Sequence, residues 1–212
     1  MQYYMVLAGI IISYLIGSIP TAYIFGRILK GIDIRKFGSG NVGATNAFRV
    51  LGPAWGIVVL FLDVLKGLIS VTWVTNHFLN FWDNSGIVLR IIFGIVCVCG
   101  HNWTLFLRFK GGKGVATTLG VLTGIAIAVV ELRLILLLVI LVWLIVFSIL
   151  RVVSVASVLS AIALPLFMII FRQSRELLIL SIILAIFITL RHKKNLLGLF
   201  RGQERPLSFK SH

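Results

Sequence analysis

Seven apolar runs, parted by short charged segments, leave this chain few ways to fold. A helix needs about 20 apolar residues to cross the hydrocarbon of a bilayer. Once there, its backbone polar groups must be satisfied within the segment. The runs extend from Tyr4 to Leu29, Ala54 to Thr75, Gly86 to Leu107, Val115 to Val130, Leu134 to Leu150, Ser154 to Phe171 and Leu177 to Leu190. With 59% hydrophobic residues and a mean hydropathy of +1.09 over 212 residues, a water-soluble domain is excluded. The expected fold is an all-α integral membrane protein of seven transmembrane helices. One domain is expected over residues 1–202, followed by a short polar tail over 203–212 that is expected to be disordered. Glu131-Leu132-Arg133 is read as a turn at an interface, because charges in mid-bilayer are costly. The first run has no basic start and is too long for the apolar part of a cleavable signal.

The charges set the orientation. The formal net charge is +14, from 20 Lys and Arg against 6 Asp and Glu. Such a balance often points to nucleic acid, but here the cations sit in loops between spans and no nucleic-acid partner is expected. Fifteen of them fall in the first, third and fifth connections and the C-terminal tail, and only Arg133, Arg172 and Arg175 fall on the other side. Cytoplasmic loops carry the excess of cations, which places the N-terminus outside and the C-terminus inside. All polar, glycine-rich segments then gather on the cytoplasmic face: residues 30–53, Arg108–Gly114, Arg151–Ser154 and the tail from Arg191. The opposite loops, Asn76 to Ser85, Glu131 to Arg133 and Arg172 to Glu176, carry no such pattern.

The densest polar stretch is Gly38-Ser39-Gly40-Asn41-Val42-Gly43-Ala44-Thr45-Asn46-Ala47-Phe48-Arg49. Three glycines in six residues allow a tight turn with accessible N–H groups. Ser39, Asn41, Thr45 and Asn46 add hydroxyl and amide donors. From Ala44 the chain reads as a helical turn closed by Arg49. Consecutive N–H groups at a helix start beside a cation suit a phosphate. The stretch matches G-x-G-x-x-G, but a dinucleotide site needs a preceding strand and a following acidic residue in a βαβ unit. Here a membrane helix precedes, and Asp63 lies in another. A passive interhelical loop would not need so many side-chain donors.

A second glycine segment, Lys110-Gly111-Gly112-Lys113-Gly114, precedes the helix expected from Val115. It too can take an anion. It is not a Walker A loop, since Gly114 stands where the magnesium-binding hydroxyl would be. Both segments contain a G-x-x-x-A-T spacing, too short to establish a repeat. Asp63 and Lys66 share one face of the second span, where charges are paired or functional. His101 lies near the cytoplasmic end of the third span, and His192 and Asn195 share a face at the end of the seventh. Cys97 and Cys99 point to different faces, and apolar packing is the expectation for both. No His is followed five residues on by Asp, no Ser-His-Asp set or H-E-x-x-H is present, and the carboxylates are too scattered for a metal cage. No metal and no cofactor is expected.

Four blocks together resemble the bacterial acyl-phosphate:glycerol-3-phosphate acyltransferase family. They are Gly38–Asn46 with Arg49; Leu62-Asp63-Val64-Leu65-Lys66-Gly67; Gly100-His101 with Phe109–Thr117; and Arg191-His192 with Asn195. The resemblance implies a multi-pass enzyme of the bacterial inner (plasma) membrane with a cytoplasmic site. It would move a fatty acyl group from acyl phosphate to the 1-hydroxyl of sn-glycerol 3-phosphate, without acyl-CoA, giving lysophosphatidic acid and inorganic phosphate. That is the first acylation of phospholipid synthesis, with a functional link to the enzyme that makes acyl phosphate. By the same resemblance, Ser39, Gly40 and Asn41 would cradle a phosphate through their N–H groups. Gly38, Thr45, Asn46, Gly111, Gly112 and Gly114 would complete the substrate-binding segments. Arg49 and Lys113 would neutralise charge, including the carbonyl oxyanion as it forms. His192, Asn195 and Ser154 would orient glycerol 3-phosphate, and Asp63, Lys66 and His101 would support the site from behind. Which phosphate occupies Gly38–Asn41 stays open.

The residues agree independently: two phosphate substrates and a long alkyl chain call for two anion pockets beside a hydrocarbon groove. No residue is an obvious general base, so the donor's own phosphate oxygen is expected to take the hydroxyl proton, with positioning supplying the rate. An anion transporter is the leading rival, but transporters place broken helices near the midplane, often in repeated halves. A scaffold protein would not need glycine-rich, donor-dense loops.

Overall fold

The computed structural model describes residues 2–79, 86–202 and 204, and among them every regular element is helical. Ten α-helices occur among these residues: α1 Gln2–Ser18, α2 Thr21–Lys30, α3 Ala44–Leu51, α4 Pro53–Ile69, α5 Thr75–Phe78, α6 Gly86–Asn102, α7 Val115–Ala128, α8 Leu132–Leu150, α9 Val153–Ile170 and α10 Arg175–Phe200. They form two compact units, Met1–Ile125 and Ala126–His212. Among the described residues, Pro53–Phe78, Gly86–Leu107, Leu132–Leu150 and Val153–Ile170 are long and apolar enough to cross a membrane. The bent pair α1–α2 makes a fifth if it is one span. Helix α7, at 14 residues, is shorter.

In the first unit, α1 packs along α6 at close range, with Gly17 against the Cys97 carbonyl. Small residues let membrane helices approach in this way where lipid removes the hydrophobic drive between them. Val6, Val74, Phe78, Leu89 and Phe93 fill the core between α1, α5 and α6. The first apolar run is not one helix. It bends by 40° between α1 and α2. Pro20 has no N–H and disfavours helix at Ile19 before it, so the ladder stops there. The second span is longer than expected. After α4 it runs through a π-helical turn, Ser70–Val74, into α5, so Asn76 to Phe78 are helical. Residues 80–85 of the expected loop lie outside the described residues. Arg90 donates to the Val71 carbonyl inside the π turn and, at 2.7 Å, to Asn76 Oδ1.

In the second unit, α9 packs against both α8 and α10. Glu131 sits in the turn before α8, and Leu132 and Arg133 open the helix. Arg133 reaches back to the Ala126 carbonyl at 3.0 Å. Trp143 donates to Ser157 Oγ at 3.2 Å, joining α8 to α9. Ser174 caps α10 by accepting from Leu177 N–H at 3.4 Å. That helix does not stop at Leu190 as the apolar run suggests but continues to Phe200. Its continuation is rich in Arg, Lys and Leu, all good helix formers, and the chain leaves the helix only near Gly202, whose φ is +65°.

Candidate active site

The first glycine segment is organised by Asn46. This residue is only 1% exposed on α3, and both ends of its amide hold the preceding loop. Its Oδ1 accepts from Ser39 N–H at 2.8 Å, and its Nδ2 donates to the carbonyls of Ile34 and Phe37 at 3.2 and 3.1 Å. Gly38, with φ +59°, lies so close that a methyl group there would stand 2.3 Å from Asn46 Oδ1. Gly40 N–H donates to the Phe37 carbonyl at 3.0 Å. Of the expected cradle, the N–H groups of Ser39 and Gly40 are already engaged, the first by the Asn46 side chain and the second by the Phe37 carbonyl. What the segment presents outward is the exposed Ser39 side chain, with the Asn41 and Thr45 side chains half-buried and Arg49 exposed on α3. Ahead of it, Asp33 caps a 3-10 turn and pairs with Arg35 at 2.6 Å, which holds its carboxyl down at about 2.

The second glycine segment is clasped to the end of α6. Gly111 N–H donates to the Asn102 carbonyl at 3.2 Å and Gly112 N–H to the His101 carbonyl at 2.9 Å. A methyl group on Gly112 would stand 2.1 Å from His101 Nε2, so only glycine allows the contact. Gly114 lies beside the fully buried Asn102 side chain. Lys113 is half-buried immediately before α7. Among the described residues, the Asn102 amide and the Thr117 and Thr118 hydroxyls are buried without a hydrogen-bond partner. Leu107, just ahead of this segment, shares a buried cluster with Val42 and Ala47 of the first and with Ile34 and Leu51 that flank it, so both glycine segments adjoin one core.

Beneath them lies a buried polar network that also explains the bend at Pro20. Asp63 and Lys66 on α4 pair at 2.8 Å, with side chains 1% and 5% exposed. Thr21, the first residue after the break, donates to Asp63 Oδ1 at 2.7 Å. Lys66 donates at 3.2 Å to the Ile19 carbonyl, which the break releases. His101 Nδ1 stands 3.7 Å from Asp63 Oδ1 while its Nε2 faces Gly112. The expected mutual pairing of Asp63 and Lys66 is thus present, and it extends from the broken helix to the second glycine segment.

Ser154, His192 and Asn195 lie in the second unit. His192 is 2% exposed, and its Nδ1 meets the Ile188 carbonyl at 2.8 Å. A carbonyl only accepts, which places the proton on Nδ1. Ser154 and Asn195 are brought together by Glu204, which accepts from Ser154 Oγ at 3.1 Å and from Asn195 Nδ2 at 2.8 and 2.7 Å. Glu204 N–H also donates to the Gly198 carbonyl at 3.3 Å. The polar composition after Gly202 predicts a disordered tail that includes Glu204. Its order comes from these contacts, and the signal for it was a lone carboxylate just past a helix end, amid cations. Gln203 and residues 205–212 lie outside the described residues.

Comparison with known proteins covers the same ground. The family model described as glycerol-3-phosphate acyltransferase matches residues 7–202. The glycerol-3-phosphate acyltransferase of Chlorobaculum tepidum is 43% identical over 96% of this chain and 97% of its own. That of Fusobacterium nucleatum is 38% identical over 94% of this chain and 97% of its own. The crystal structure of PlsY (YgiH), an integral membrane glycerol 3-phosphate acyltransferase, in its glycerol 3-phosphate form, superposes with a TM-score of 0.84 at 37% identity over 96% of both chains. Its lysophosphatidic acid form gives 0.81 at 36% identity over the same share.

Proposed function

Because the chain belongs to the glycerol-3-phosphate acyltransferase family, and is thereby an integral membrane acyltransferase of phospholipid synthesis, we propose that its acyl donor is acyl phosphate and that its products are lysophosphatidic acid and inorganic phosphate. The observation that carries this reading is the clasp of the second glycine segment onto His101 and Asn102, which sets Lys113 two residues ahead of the start of α7. A cation at a helix start, on a backbone held by two hydrogen bonds, is preorganised for a phosphate and for a developing oxyanion. Lys113 and Arg49 neutralise charge; Ser39, Asn41 and Thr45 contact substrate from the first segment; Gly38, Gly40 and Asn46 shape it. His192, Asn195 and Ser154 orient glycerol 3-phosphate. Asp63, Lys66 and His101 hold the second segment in place.

The reaction needs no protein base in this reading. The glycerol 1-hydroxyl oxygen attacks the acyl carbonyl carbon while a non-bridging oxygen of the donor phosphate takes its proton; the bond between the acyl carbon and the phosphate oxygen then breaks, and phosphate leaves carrying that proton. The protein's part is positioning, which can supply several kcal/mol of the barrier. We also propose seven spans in one domain through residue 202, with the N-terminus outside and the C-terminus in the cytoplasm of a bacterial inner membrane. The excess of cations on one side supports the orientation.

The test is phosphate release by the purified protein in a lipid phase, with palmitoyl phosphate and glycerol 3-phosphate. Release should need both substrates and ignore palmitoyl-CoA. In Lys113→Ala it should fall by about 10²–10³-fold, as for loss of one oxyanion donor. Equal use of the CoA ester would refute the donor assignment.

A further inference from the structure

Beside the break at Pro20 the first unit holds a cavity of about 400 Å³, a size at which ligand pockets occur. Ile16, Ile19, Ile24 and Phe25 form one wall, and Leu65 and Ile69 of α4 form the other. Thr21 and Lys66 also reach it, but their polar ends are turned to Asp63 and the Ile19 carbonyl, so the lining is hydrocarbon. Water finds no polar partner on such a lining, whereas an alkyl chain gains contact along it. Ile19 and Ile24 are exposed, and both walls belong to apolar spans, so the cavity opens to the bilayer.

Two observations choose the chain. The first is the side on which the cavity lies. Helix α4 meets α7 through Val64, Gly67 and Leu68, with Gly67 against the Thr117 carbonyl and Gly120 against that of Val64. At 3.6 residues per turn, Leu65 and Ile69 lie on a different face of α4. The cavity therefore opens away from α7 and from Lys113 ahead of it, so the chain it takes is not the one being transferred. The second is the charge at its rim. One turn beyond Ile24, Ile28 continues the same face and is 73% exposed. Around it stand Arg27, Lys30, Arg35 and Lys36, against the single carboxylate Asp33, itself paired with Arg35. The Phe25 and Trp55 rings, with centroids 5.3 Å apart, mark the headgroup level there. Such a basic stretch draws anionic headgroups. We propose that the cavity beside Pro20 is a binding site for an anionic phospholipid of the bilayer, with one chain in the cavity and the phosphate among the cations at the end of α2. The chain packs on the carbon stems of Thr21 and Lys66, so the bound lipid steadies the bent pair α1–α2 on α4.

The experiment places the full-length protein in phosphatidylcholine vesicles that contain a little phosphatidylglycerol with a photoreactive diazirine in its palmitoyl chain. After irradiation, the labelled residues are mapped by peptide mass spectrometry. Label should concentrate on Leu65 and Ile69, and unlabelled phosphatidylglycerol should displace it severalfold better than unlabelled phosphatidylcholine. Leu65→Trp fills the cavity and should abolish that label, whereas Phe61→Trp, at an exposed position on α4 outside the cavity, should leave it in place. Arg27→Gln should weaken the preference for phosphatidylglycerol severalfold. In detergent, added phosphatidylglycerol should raise the thermal midpoint of the unmodified protein and of Phe61→Trp, but not that of Leu65→Trp. Equal labelling of the exposed Ile57 and Phe61 would mean ordinary bilayer contact and overturn the proposal. So would labelling of the cavity by a diazirine-bearing palmitoyl phosphate, which would make it the place of the reacting chain, or a cross-link there to a second copy of the protein. If Leu65→Trp does not fold, the competition between the two lipids in the unmodified protein decides: equal displacement rejects the site. None of these readouts needs turnover, so a failure of the proposed acylation is a separate result.

Discussion

Replacing Asp63 by Asn should be among the most destabilising conservative changes in the chain. The carboxylate is 1% exposed and faces Lys66 at 2.8 Å, Thr21 at 2.7 Å and His101 at 3.7 Å. Asn keeps an oxygen for Thr21 but leaves the Lys66 ammonium, 5% exposed, without a counter-charge. Breaking one side of a buried ion pair costs about 3–5 kcal/mol. Removing both charges is far milder, because two desolvated ions are often no better than neutral groups of similar size. The double variant Asp63→Asn/Lys66→Met should therefore regain most of the loss. It still loses the Lys66 hydrogen bond to the Ile19 carbonyl, which keeps the Thr21 N–H as a donor at 3.1 Å, at about 1 kcal/mol. The order expected is wild type, double variant, then Asp63→Asn. Cys97 supplies the assay in a Cys99→Ser background: it is fully buried and in no disulfide, so a thiol-reactive fluorophore reports unfolding on heating in detergent. The single variant should lose on the order of 10 °C and the double variant distinctly less. A neutral Asp63→Asn, or a double variant no more stable than the single one, would refute the idea that charge pairing holds the broken helix to α4.

Two further outcomes follow from local geometry. Gly112→Ala puts a methyl group 2.1 Å from His101 Nε2 and must displace the segment that carries Lys113, so turnover should fall about 10²-fold, while the thermal midpoint moves little; unchanged turnover in a steady-state assay would contradict the clasp. The Asp33 carboxyl, held down to about 2 by its hydrogen bond to Arg35, should be seen by NMR to titrate well below the usual carboxylate range. Because its folded value is lowered, the contact contributes stability above about pH 4 and loses it as pH falls toward 2, and Arg35→Ala should return the titration to the ordinary range.

The amino-acid sequence alone determined the class of this protein. A hydrocarbon environment demands that each crossing segment satisfy its own backbone, so spans are legible from local composition. The two glycine segments, the Asp63–Lys66 pair and the His192/Asn195 face were legible for the same reason: each is a short-range pattern. What only the tertiary structure decided rests on partners distant in the chain. Lys66 reaches Ile19 across 47 positions and Thr21 reaches Asp63 across 42, turning an apparent single span into a bent one tied to α4. Asn46 reads as a ligand donor in sequence but is buried as the pin of its own loop, since both ends of its amide meet backbone groups that the turn would otherwise leave unsatisfied. Glu204 reads as solvated tail until Ser154, 50 positions earlier, is folded against it. Composition and spacing report what a segment can do by itself; only packing decides which polar groups must answer one another away from water.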